Sequence, residues 1–131
     1  MAKVLAVEDD SDIQIVLKMV LTRLGKCEVV LSGEGTPVVD LAREHQPAFI
    51  LLDVMLPDMS GTEVIQRLKA DPATKDIPVI FLTARSIPSE AQEALSLGAL
   101  GYLAKPFEPM ALVPQINALL SKVGNAITIG V

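Results

Sequence analysis

Two hydrophobic patterns alternate along this chain. Short, mostly apolar stretches of strand length occupy 3–7 (K-V-L-A-V), 27–31, 49–53 (F-I-L-L-D), 79–82 (V-I-F-L) and 100–104. Between them, apolar residues recur every three or four positions, as on one face of a helix. The first stripe is Ile13, Val16, Leu17, Val20, Leu21 and Leu24, closed by Gly25, and the second is Val38, Leu41 and Ala42 in a helix whose first residue is Pro37. The third is Val64, Ile65 and Leu68 behind a Ser60–Glu63 capping box, and the fourth is Ala91, Ala94, Leu95 and Gly98 behind Ser89 and Gln92. The fifth, from Pro109, is Leu112, Val113, Ile116, Leu119, Leu120 and Val123, with Pro114 expected to cost a hydrogen bond and kink the helix. Alanine and glycine bury little area, so the fourth helix should be lightly held and freest to shift. Strict strand–helix alternation predicts an α/β fold: a doubly wound, five-stranded parallel sheet of order 2-1-3-4-5, covered by five helices in three layers. Residues 1–123 form the expected domain, and 124–131 a tail without helix or strand pattern.

Composition narrows the function classes. The 131 residues fit one domain with an aliphatic core, since half are hydrophobic and only 3% aromatic. A net charge of -5 from 11 basic and 16 acidic residues disfavours direct nucleic-acid binding by this chain. The single cysteine, Cys27, cannot form an internal disulfide, and neither a secretory leader nor an apolar run of membrane-spanning length is present. The expected location is the cytoplasm, without membrane insertion.

Charge placement supplies the chemistry. The first strand runs into Glu8, Asp9, Asp10, Ser11 and Asp12, and the third ends at Asp53. Carboxylates at a helix N-terminus meet exposed N–H groups and the positive end of the dipole, which accounts for Asp10 and Asp12. Glu8 and Asp9 precede the helix and would repel each other unless a cation sat between them. In the expected order strand one adjoins strand three, so these acids meet Asp53 at the switch point, where open α/β sheets place their sites. Oxygen ligands with room for water suit Mg²⁺. Thr83 ends the fourth strand and Lys105 the fifth. With strands ~4.8 Å apart, a hydroxyl reaches across one gap toward Asp53, and a long side chain across two. Taken singly, Thr83 reads as a strand-end hydroxyl and Lys105 as a solvated charge. Together with Asp53 they are parts for phosphoryl transfer, in which the ionised carboxylate attacks without a general base while cation, ammonium and hydroxyl offset charge.

These residues resemble a known family, the receiver domain of two-component response regulators. The resemblance spans residues 3 to about 122 and rests on V-E-D after strand one, L-L-D-V-M-L-P-x-M-S-G around Asp53, F-L-T-A after strand four and G-Y-L-A-K-P-F at strand five. It implies a flavodoxin-like sandwich in which Asp53 is phosphorylated from a histidine of a sensor histidine kinase or histidine phosphotransfer protein. It further implies that Asp9, Asp53 and the Met55 carbonyl hold Mg²⁺, with Glu8 acting through a water, and that Thr83 and Tyr102 form a switch pair. Lys105 matches the family's lysine. It precedes a proline and must point inward, so a cis Lys105–Pro106 bond is expected. Such a protein promotes only its own phosphorylation and dephosphorylation. With one helix following the site, the switched surface at the fourth helix, fifth strand and fifth helix is expected to act on a separate protein target.

On the first helix Ile15 and Met19 are large, apolar and one turn apart on the face opposite the stripe. They are expected to form a docking patch for the phosphodonor, the alternative being scattered apolar exposure. Three other readings are weaker. A flavodoxin-type electron carrier needs a phosphate-cradling loop where Glu8, Asp9 and Asp10 stand, and a haloacid-dehalogenase-type phosphatase needs its nucleophile after strand one, in a pattern that 10–14 (D-S-D-I-Q) does not match. A receiver serving only as an adaptor would not need all five site residue types.

Overall fold

The computed structural model describes residues 2–83, 92–93, 95–105, 108–123 and 127–130. Its strands are β1 (Lys3–Val7), β2 (Glu28–Ser32), β3 (Phe49–Asp53), β4 (Val79–Thr83) and β5 (Gly101–Ala104), and its helices are α1 (Ser11–Arg23), α2 (Val38–His45), α3 (Gly61–Ala70) and α4 (Pro109–Leu120). All strand pairs are parallel and the order is β2-β1-β3-β4-β5. β3 and β4 are buried at every residue, because they lie inside the sheet with both faces covered.

Alternation along each strand divides the core in two. Val4, Ala6, Phe49, Leu51, Ile80, Leu82 and Leu103 face one way, against Leu17, Val20 and Leu21 of α1 and Leu112, Ile116 and Leu120 of α4. Leu5, Val7, Ile50, Leu52, Val79 and Phe81 face the other way, against α2 and α3 through Val38, Ala42, Val64, Ile65 and Leu68. Asp10 caps α1 by accepting the Asp12 and Ile13 N–H groups, and Ser60 caps α3 by accepting that of Glu63.

Several expectations shift. Leu24 is 41% exposed rather than part of the inward stripe. The helix closes at Arg23 and the chain turns through Lys26, at φ 55°, which carries the last stripe position off the packed face. Pro37 is the residue before α2 rather than its first. Pro114 lies inside α4, Pro109–Leu120, where the sequence placed it.

Of the expected fourth helix, residues 92–93 and 95–96 are helical and the turn ends at Gly98, with φ 101°. Ser89, Ala91 and Ala94 of its predicted cap and stripe lie outside the described residues, so among the described residues four helices have full bounds. Leu95, expected inward, is 45% exposed. The buried side of this segment instead runs through Leu97 and Ala99, which pack on the α2–α3 side of the core.

The tail docks. Ile129 is 3% exposed and joins the core between α1 and α4. The Asn117 side chain holds its backbone at both ends: Nδ2 donates to the Ile129 carbonyl (3.0 Å) and Oδ1 accepts its N–H (2.9 Å). Gly130 N–H donates to the Gly25 carbonyl at 2.7 Å.

Candidate functional site

Glu8, Asp53 and Lys105 each stand two residues beyond a core residue of one face, namely Ala6, Leu51 and Leu103. The period of two therefore aims all three side chains to the α1–α4 side, at the carboxyl ends of the adjacent strands β1 and β3 and of β5 beyond β4. Lys105 spans the distance from β5 and bridges two acids: its Nζ lies 2.7 Å from Glu8 Oε1 and 3.1 Å from Asp53 Oδ2. All three are nearly dry, with side-chain exposures of 13% for Lys105, 1% for Glu8 and 6% for Asp53. Asp9 is exposed, and one carboxylate oxygen from each of Glu8, Asp9 and Asp53 lies within 4.8 Å of the others. That oxygen set fits a hard divalent cation that keeps part of its hydration.

Burial governs the electrostatics. Desolvation pushes the Glu8 carboxyl up to about 7, reinforced by its hydrogen bond with Asp53 and opposed by the Lys105 ammonium and the Asp10 N–H. Burial alone would pull Lys105 down. Its bonds to Glu8 and Asp53 outweigh that and hold it above an ordinary lysine. One ammonium is shared between two buried acids, which leaves Glu8 with too little compensation to ionise as a surface glutamate does.

The backbone around Asp53 is tightly specified. Met55 N–H donates to Asp53 Oδ1 at 3.0 Å, and Gly61 N–H donates to the Val54 carbonyl at 2.7 Å. A Cβ on Gly61 would lie 2.4 Å from the Asp53 carbonyl oxygen, so only glycine lets α3 begin this close behind the strand. Met55 is 75% exposed at the mouth of the site. Thr83 is buried at the end of β4, and the Lys105 N–H donates to its carbonyl at 2.7 Å. Tyr102, opposite Phe81 in the β4–β5 register, shares a sheet face with Thr83 and is half-buried. Pro106, and with it the expected cis bond, lies outside the described residues.

Two residues not singled out from the sequence tie this region together. Gln14 Nε2 donates to the Glu8 carbonyl, fixing the acid turn from the first turn of α1. The Asp58 carboxylate, in the loop after β3, accepts N–H groups from Gly35 and Thr36 after β2. An amide on the first helical turn and an aspartate in a Pro-Asp turn were the available signals, and both also fit ordinary local roles. Ile15 and Met19 are 63% and 47% exposed on α1, beside a shallow surface lined also by Lys18, Thr22 and Arg23.

The family model for the response regulator receiver domain matches residues 4–117. The chain belongs to this family. Receiver domains of this kind are phosphoacceptors in two-component signalling and interact with sensor histidine kinases. The chain is 36% identical over 120 residues to the DNA-binding response regulator MtrA of Mycobacterium tuberculosis, covering 92% of this chain and 51% of that one. It thus spans about half the length of the curated relatives it matches. Among solved structures, the receiver resembles chemotaxis response regulator CheY4 of Vibrio cholerae at 32% identity and TM-score 0.85, covering 92% of this chain and 99% of that one. It also resembles the receiver domain of sensor histidine kinase PA1611 from Pseudomonas aeruginosa PAO1, with 29% identity, TM-score 0.81 and coverage of 90% and 96%. That structure has a magnesium ion coordinated in its active-site cleft. Among the described residues of this receiver, no helix is long and apolar enough to cross a membrane.

Proposed function

We propose that this receiver takes a phosphoryl group onto Asp53 from a phosphohistidine of a sensor histidine kinase or histidine phosphotransfer protein, in a Mg²⁺-dependent step. The observation that carries this reading is the Lys105 ammonium held between Glu8 and Asp53 beside Asp9. An Asp53 carboxylate oxygen forms the new bond to phosphorus, the phosphorus–nitrogen bond of the donor breaks, and the imidazole leaves with its electron pair. Lys105 offsets charge on the transferring group and the Thr83 hydroxyl donates to one of its oxygens. Asp9, Asp53 and the Met55 carbonyl would hold Mg²⁺, with Glu8 acting through a water. When bound, the ion neutralises phosphoryl oxygens and orients the donor.

The receiver acts on itself rather than turning over a substrate, and it works in the cytoplasm. Phosphorylated Asp53 gains roughly -1.5 to -2 in charge. Thr83 moves toward the new oxygens, Tyr102 turns inward behind it, and the surface around residues 92–98, β5 and α4 changes for a downstream protein target. Ile15 and Met19 receive the phosphodonor.

Incubation with a small phosphodonor such as acetyl phosphate, with and without Mg²⁺, followed by mapping of the modified residue, tests the reading. One phosphoryl group on Asp53, absent with chelator and absent in Asp53→Asn, is expected. A label on Asp9 or Asp10, or one that survives in Asp53→Asn, overturns the assignment.

A further inference from the structure

The loop after Asp53 is closed at its base by its own backbone: Met55 and Ser60 form an isolated antiparallel bridge, and Gly61 N–H bonds to Val54. Its tip is held from elsewhere in the chain. Asp58 Oδ1 accepts the Gly35 N–H at 2.8 Å, and Oδ2 accepts the Thr36 N–H at 2.7 Å together with the Thr36 hydroxyl. Although Asp58 is exposed, three donors on two oxygens fix its orientation as a single contact would not. The Thr36 hydroxyl and the backbone N–H groups also hold its carboxyl down at about 2, so the acceptor is ionised throughout the physiological range. Next to it, Met59 occupies the space beside Gly35, where a Cβ would lie 2.6 Å from Met59 Cγ and 2.8 Å from Val64 Cγ2.

The gripped segment is tied in turn to the acid turn after β1. Glu8 N–H donates to the Ser32 carbonyl at 2.9 Å, and the Ser32 hydroxyl donates to the Glu34 carbonyl at 2.8 Å. Gln14 Nε2 reaches the Glu8 carbonyl and passes 3.6 Å from where a Cβ of Gly33 would stand. The Glu8–Asp9 turn and the Asp53–Met55 loop are therefore joined through a third loop, with Asp58 as the bond on the Asp53 side.

We propose that Asp58 is a positioning residue for the cation site, holding the loop that carries Met55 in register with the Glu8–Asp9 turn before Mg²⁺ arrives. The proposal rests on the Mg²⁺-dependent reading of the site. Mg²⁺ demands short bonds in near-octahedral geometry, and a loop left loose must be ordered at the expense of binding. Asp58 is not itself assigned as a ligand; it acts through the backbone between it and Met55.

Asp58→Ala and Asp58→Asn in the full chain test this, with Mg²⁺ binding measured by calorimetry and acetyl phosphate labelling followed against Mg²⁺ concentration. Asp58→Ala is expected to weaken Mg²⁺ binding about tenfold, as loss of outer-shell partners does at other metal sites. Labelling at saturating Mg²⁺ should stay within about twofold of the wild type, because the reacting groups are untouched. Asn keeps one acceptor oxygen and should fall between. Unchanged Mg²⁺ affinity in Asp58→Ala, whatever happens to its unfolding temperature, overturns the proposal, as does labelling that saturating Mg²⁺ fails to restore. If the wild type itself binds no Mg²⁺ or labels equally without it, the Mg²⁺-dependent reading falls instead.

Discussion

Glu8 should make the stability of the metal-free receiver fall as pH rises, against the trend that paired carboxylates usually impose. In the fold its carboxyl stands at about 7, against an ordinary 4.5. Between those values the folded protein keeps a proton that the unfolded chain has released. Stability is therefore fully present below about pH 4.5 and is lost as pH climbs through 7. Each factor of ten in proton affinity is worth about 1.4 kcal/mol, so the two to three factors at Glu8 amount to about 3 kcal/mol. That is a large share of the roughly 5 to 15 kcal/mol that holds a domain together.

Most other shifted groups move away from the window; Lys69, which burial lowers from its ordinary 10.5, is the one that moves toward it. Asp58 and Asp71 are lowered and titrate in acid, while burial raises Cys27 above its usual 9. Urea unfolding in EDTA from pH 5 to 8.5 should record the decline, and Glu8→Gln, which keeps an oxygen for Lys105, should remove most of it. Mg²⁺ binding at pH 6 should release a proton, seen as a buffer-dependent heat in calorimetry. A wild-type curve flat to within about 1 kcal/mol, or an equal decline in Glu8→Gln, would refute the reasoning.

Two further outcomes are expected. Ile15→Glu should weaken phosphoryl transfer from the cognate protein donor severalfold while leaving acetyl phosphate labelling unchanged, since Ile15 is 63% exposed and makes no part of the core; equal loss with both donors would place the damage in the fold. Ile129→Ala should cost about 2 to 3 kcal/mol in urea unfolding, because it empties a site that is 3% exposed, and a change under about 0.5 kcal/mol would show the docked tail to be energetically idle.

The strand order and the meeting of Asp53 with Lys105 were legible from the sequence because both follow from local periods. Alternation sets which face a strand residue takes, and the βαβ rule then sets which strand ends adjoin. Asp10 and Ser60 could be read as caps for the same reason, their partners lying two or three residues away. Leu24 and Leu95 show where that logic stops. At Leu24 the helical period continues on paper after the helix has ended, and at Leu95 the segment is helical but turns a different side, through Leu97 and Ala99, to the core, which only the packed fold shows. The docked tail depends on Asn117 and Ile129, twelve residues apart, and the grip of Asp58 on Gly35 and Thr36 crosses more than twenty. Neither pairing leaves a period or a motif, because what brings the partners together is the shape of the assembled sheet and helices, not any preference of the residues between them.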